Sequence, residues 1–389
     1  MRRPVFALVA PMLLVSAAAG RAAAQAPERG GFIVRLGNDT VAVERFSRTR
    51  TQLEGDVVSR SPQNRIVHYV ATLGPTGRIT RFESAMHPGA AGLAGPAVQS
   101  SVVTVAGDTA TVQLHSPRGD QTMKVAVRPG AVPMPPLTFA FYEQMVRQAR
   151  AEKKDTMLVD MVFPGAPKAT ETRLVMRGDS AIVDLFGLPA YARLDNIGRV
   201  LNLDGRQTTD KVLVDRVPDV NADSLAKVFG AREAAAGAMG QLSPRDTAHA
   251  MIGSAMVMVD YGRPHQRGRK IFGDVVPWGQ VWRTGANAAT QLVTNRPLVI
   301  GGTTVPAGTY TLWTLPSASG AQLIINKQHG QWGTDYDASQ DLVHLPLTRS
   351  ALTTPVEQFT IAIDPSGSTG GTLRMRWEGT EYSIPFTVQ

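Results

Sequence analysis

The densest chemical cluster in the sequence lies in residues 263–287. Arg263, Arg267, Arg269 and Lys270 place four fixed positive charges within eight residues, His265 stands among them, and Trp278, Trp282, Arg283 and Asn287 follow. Guanidinium forks take carboxylate or phosphate in bidentate fashion, and a tryptophan face stacks on sugars or cations. Arg263, Arg267, Arg269, Trp278, Trp282, Arg283 and Asn287 are therefore the candidate ligand-binding residues, suited to an anionic glycan or a phosphorylated head group. The alternative is structural. The arginines would pair with acids in the second half of the same domain, and Trp278 and Trp282, four residues apart, would pack in the core with their N–H groups satisfied.

A second cluster offers oxygen ligands. Asp335, Asp337 and Asp341 begin like a calcium loop, but Gln340 stands where the sharp turn needs glycine and Pro346 where a bidentate glutamate belongs. That excludes an EF-hand and leaves these three aspartates as a looser metal candidate, against a solvated turn. Catalytic signatures are missing: no GxSxG, HExxH, phosphate-binding P-loop or GxGxxG follows a strand. The seven histidines are scattered. An enzyme built on this chain would use His265 or His329 as general base with Asp337, or its neighbours Asp335 and Asp341, as partner. With no cysteine in the chain, thiol nucleophiles, thiolate zinc, iron–sulfur clusters and disulfides are out of reach, and no cofactor is expected.

The elements that must position these groups are mostly short strands. Residues 32–36 and 40–46 alternate apolar and polar around the turn Gly37-Asn38-Asp39, and 66–73 with 78–85, and 98–106 with 109–114, repeat the pattern. Strands joined by such tight turns are antiparallel neighbours. Residues 137–154 predict a helix carrying Phe141, Met145 and Ala149 on one stripe. Strand pairs resume over 156–217, and a second helix is predicted at 222–236, capped by Asn221 and ended by Gly237. The expected class is mainly β, α+β overall: an N-terminal antiparallel curved sheet with one or two helices, then a C-terminal β-sandwich-like domain of about seven strands. The boundaries predicted are a meander wrapping a helix at 30–236, a linker at 237–247 and the second domain at 248–389.

The first 24 residues form a separate unit. Arg2 and Arg3 precede the apolar stretch 5–19, and Ala22-Ala23-Ala24 stands before Gln25, the pattern of a cleaved secretory signal peptide. Fifteen residues containing Pro11 fall short of the roughly 20 that span a bilayer. The expectation is export to the periplasm or beyond the cell, with no later membrane span. The chain's balance of +8 includes Arg2, Arg3 and Arg21; without the leader it is 37 basic against 32 acidic residues, or +5. So mild a bias, scattered through strands, argues against nucleic acid and leaves an anionic glycan, a lipid head group or another envelope protein as expected partners.

From residue 261 onward stand "YGRPHQRGRKIFGDVVPWGQVWRTGANAAT", "GGTTVPAGTYTLWTLP", "IINKQHGQWGTDYDASQDLVHLPL" and "LRMRWEGTEYSIPF". In this ordered run, residues 256–386 resemble the bacterial family called domain of unknown function 2911. The resemblance implies a small β-sandwich-like module of exported proteins and brings no activity with it. The family pattern implies an acidic residue where this chain has Ala288. The site reading therefore leads to an exported protein that binds an anionic or carbohydrate- or lipid-like ligand without catalysis, with a His/Asp hydrolase and a protein-association module as alternatives.

Overall fold

The computed structural model describes residues 26–185 and 187–389, so the expected leader lies outside the described residues. The described residues are mainly β with two α-helices, built as one fifteen-stranded and one nine-stranded sheet. Among the described residues no helix is long and apolar enough to cross a membrane.

In the larger sheet each strand from Glu28–Leu36 to Gln121–Ala126 pairs with the next as a meander, and those from Thr156–Val162 to Leu213–Val217 do the same. Glu28–Leu36 joins the two runs by pairing antiparallel with Leu213–Val217, Val34 opposite Val214. One short pair, Val132–Pro133 against Thr156–Val162, is parallel. Alternation decides the faces. In Arg65–Leu73, the residues Tyr69, Ala71 and Leu73 point into the concave side, while Ile66 packs outward with Val43 and Val58. Helix α1 (Ala140–Ala151) lies in the concavity, burying Phe141, Met145 and Ala149, the predicted stripe, against Tyr69 and Phe82. Helix α2 (Ala222–Ala236) covers the convex side through Ala222, Ala226 and Phe229. Its predicted cap is present: the Asn221 side chain accepts from the Ser224 N–H at 2.9 Å.

The strand Gln52–Ser59 escapes sequence reading because Gly55 interrupts its pattern. The glycine is there for close approach, since a Cβ at Gly55 would lie 2.5 Å from the Tyr69 hydroxyl. In the smaller sheet, where about seven short strands are expected, two are long: Asp341–Ser366 and Gly370–Val388. Pro346 and Pro355 hide the continuity of the first. Asp341–Ser366 leaves Ala321–Asn326 after Leu347 and takes Gly370–Val388 from Thr348 onward, with irregular register at Ala351, Val356 and Thr360. It thereby folds back over Ala255–Gly262, where the Tyr261 hydroxyl takes the Ile361 N–H at 2.9 Å, giving the sandwich-like arrangement. The first strand of this sheet, Arg245–Ile252, begins inside the segment expected to be linker.

The two sheets touch through interlocked turns. The Asn38 N–H donates to the Arg267 carbonyl at 2.9 Å, and Arg267 forms an ion pair with Asp39. Gly37 has φ +59°, and a Cβ there would stand 2.2 Å from the Arg267 carbonyl oxygen. Gly37→Ala is expected to open this contact and speed limited proteolysis of residues 237–244 severalfold. An unchanged cleavage rate would show that the turns do not hold the sheets together.

Candidate functional site

Between the sheets lies an open cleft of about 1380 Å³, above the ~300–1,000 Å³ usual for small-molecule pockets. Three elements of the larger sheet wall it: the segment 134–139 that leads into α1, the hairpin around 185–191, and the loop 203–212. The smaller sheet contributes Arg269, Trp282, Arg283, Asn287 and Tyr336.

Arg206 lines the cleft paired with Asp204 at 2.6 Å, and Asp210 and Asp274 line it as well; among the described residues the cleft cations without a carboxylate partner are Lys211, Arg269 and Arg283. Each is tied to backbone carbonyls: Lys211 Nζ to Arg206 at 3.1 Å, Arg269 Nε to Gln266 at 2.9 Å and Nη2 to His265 at 2.5 Å, and Arg283 Nη1 to Asn287 at 3.3 Å. Among the described residues none of the three has a carboxylate within 4.0 Å. Arg283 fits because position 333 is glycine; a Cβ there would meet Arg283 Cδ at 2.3 Å. Enclosure by the cleft walls pushes the Lys211 amine down to about 8, helped by the positive charges of Arg283 and Arg269 and opposed by Asp274. Desolvation lowers Arg269 and Arg283 as well. Asp210 is reached by solvent yet walled in on most sides, and that loss of hydration raises its carboxyl above the ordinary range. The hydroxyl of Tyr142, on α1, is raised by burial and by the charge of Asp210.

The predicted binding residues separate into two groups. Arg269, Trp282, Arg283 and Asn287 line the cleft. Arg263 is committed elsewhere, to Asp246 at 2.8 Å and to the Phe359 carbonyl at 3.2 Å, and the Arg267 guanidinium is held by Asp39 with its side chain only 8% exposed. Trp278 stacks on Phe272 with centroids 6.1 Å apart. Trp282 stacks on Trp377 at 5.9 Å, meets Phe359 at 5.1 Å, and donates its N–H to the Gly285 carbonyl at 3.1 Å. Its role is core packing with one edge toward the cleft. Ala288 forms a bridge with Trp332.

The conditional catalytic set is not brought together by hydrogen bonds. His265 Nδ1 lies 3.5 Å from the Leu242 carbonyl, His329 is exposed, and Asp337 accepts from the Ser339 N–H and hydroxyl at 2.9 and 2.7 Å as a local cap. Asp341 instead accepts from Tyr336 at 2.6 Å and Asn326 at 2.8 Å and pairs with His344 at 2.8 Å, while the Asp335 carboxylate accepts from the Thr334 hydroxyl at 3.2 Å. Among the described residues no three His, Asp or Glu side chains are grouped to hold a metal ion, so Asp335, Asp337 and Asp341 do not converge. Sequence reading missed Lys211, Asp210 and Tyr142, which stand in the other half of the chain without a motif.

Residues 243–386 match the family described as "Protein of unknown function (DUF2911)", a wider span than the motifs alone cover; the N-terminal region matches no family. No curated protein matches the chain. Among solved structures, a "Beta-barrel-like Protein of Domain of Unknown Function DUF1849" from Brucella abortus is 10% identical with a TM-score of 0.33, aligning 50% of this chain and 98% of its own. A DUF1089 family protein from Pseudomonas aeruginosa is 11% identical with a TM-score of 0.30, aligning 43% of this chain and 90% of its own.

Proposed function

We propose that this is an exported, non-catalytic binding protein whose cleft between the two sheets holds an anionic ligand. One observation carries the reading: Lys211, Arg269 and Arg283 sit in one enclosure, each bonded to a carbonyl and none to a carboxylate. Cations partly removed from water without a carboxylate in direct contact are costly, and an incoming anion relieves that cost. Phosphate or carboxylate suits the two guanidinium forks. Export rests on the charge and apolarity of residues 1–24; the test is the N-terminal sequence of the protein recovered outside the cytoplasm, which should begin at Gln25.

The binding test is isothermal titration with dodecyl phosphate and with dodecyltrimethylammonium, both below their micelle concentrations. The phosphate should bind, and the double substitution Lys211→Ala with Arg283→Ala should weaken it about 10- to 100-fold, the range for lost charge-assisted hydrogen bonds. Affinity should fall as pH rises through about 8, because deprotonation of Lys211 removes one positive charge. Equal binding of both amphiphiles, unaffected by the double substitution, would end the anion reading.

A further inference from the structure

We infer that the anion held by this cleft is the head of a single-chain amphiphile whose alkyl chain runs along the wall that the larger sheet presents to the cleft. The inference rests on the anion reading above and decides between its glycan and lipid-like forms.

The walls differ in chemistry. On the larger sheet, Leu137, Phe163 and Leu185 line the cleft half-buried and pack against the buried core that includes Leu36, Met134 and Phe139, so an apolar wall faces the cleft there. Phe139 stacks on Tyr142 at 5.3 Å and extends this apolar wall along the helix. Val281 and Tyr191 line the cleft while 36% and 44% exposed, placing large apolar side chains in contact with water. An alkyl chain would remove that surface from water. Arg206 is held by Asp204, and Asp210 and Asp274 also line the cleft, so the cations left for a ligand are Lys211, Arg269 and Arg283, which share the cleft with this apolar surface as the two ends of an amphiphile require.

A glycan fits less well. Sugars need open aromatic faces and many polar partners, whereas Trp282 and Trp278 stack on other rings and the Trp282 N–H is already used. The cleft volume of about 1380 Å³ also exceeds what an isolated phosphate fills.

The experiment compares dodecyl phosphate, butyl phosphate and an oligomer of hexuronic acid by titration against the full chain lacking residues 1–24 and against Leu188→Asn. Leu188 lines the cleft and is half-buried. Dodecyl phosphate should bind at least about 100-fold tighter than butyl phosphate, since each methylene taken from water adds to affinity. Leu188→Asn should weaken the dodecyl compound about 3- to 10-fold and leave butyl phosphate unchanged, which also certifies that the variant is folded. Equal affinity for the two phosphates overturns the amphiphile while leaving the anion reading standing, and so does tighter binding of the acidic oligosaccharide. Loss of charge selectivity in the earlier titration overturns both.

Discussion

Glu143→Ala is expected to lower the stability of the protein by about 3–5 kcal/mol, the cost of leaving buried charges without their partner. Glu143 stands on α1, fully buried in the concavity of the larger sheet. One oxygen accepts from Arg216 at 2.6 Å and from the Val200 N–H at 3.0 Å; the other accepts from Arg147 at 3.2 Å and lies 3.6 Å from Arg48. Glu28 supports Arg147 at 2.7 Å and Arg216 at 3.4 Å, but among the described residues Arg48 has no other carboxylate within 4.0 Å and bonds Gln144 and the Ala140 carbonyl. Burial already pushes Arg48 down to about 10, so it loses most when Glu143 goes. Urea unfolding measures the loss, and a change below about 1 kcal/mol would mean that water or Glu28 takes over. Because the helix is pinned by these contacts and segment 134–139 enters it from the cleft wall, a loosened helix should also weaken ligand binding.

The second large effect is a dependence on pH set by Glu44. Its carboxylate, on the strand Asp39–Arg48, accepts from the Tyr69 hydroxyl at 2.7 Å and from the Phe139 and Ala140 N–H groups at 2.6 and 3.1 Å. Full burial pushes the carboxyl up to about 7 despite those three bonds, and the charge of Glu143 adds to the rise. The folded state thus holds its proton more tightly than the unfolded chain, where the ordinary value is 4.5. Stability from this group is complete below pH 4.5 and is lost as pH rises toward about 7. At about 1.4 kcal/mol per unit, the loss is on the order of 3 kcal/mol.

Glu44→Gln removes the titration. The stability difference between wild type and this variant should therefore shift by about 3 kcal/mol in the variant's favour between pH 5 and pH 8. His68, raised by its hydrogen bond to Asp56, titrates in the same direction, but it is present in both proteins and cancels in the difference. A flat difference would show that Glu44 is ionised throughout.

Glu44 also shows where sequence reading stops. Helix α1 has Phe139 at its N-cap position, where the side chain cannot cap it, and the residue that meets its first N–H groups stands 95 positions earlier in the chain. Helix α2, whose cap Asn221 is local, was legible to the residue. The same division holds for the site. Arg269 and Arg283 were candidates because they cluster in sequence, but Lys211 carries no motif and joins them only when the loop 203–212 meets the smaller sheet. Arg263 and Arg267 looked equivalent to them and are spent on Asp246 and Asp39.

By itself the sequence determined the mainly β class, the helix stripe of Phe141, Met145 and Ala149, and the family resemblance of the C-terminal third, because periodicity, turn chemistry and motifs are local properties of the chain. The tertiary structure alone decided which arginines remain without an acid, which tryptophans are packed and where the apolar wall lies. Those depend on charge neutralisation, ring stacking and desolvation between residues brought together from distant parts of the chain, and such pairings leave no spacing to read.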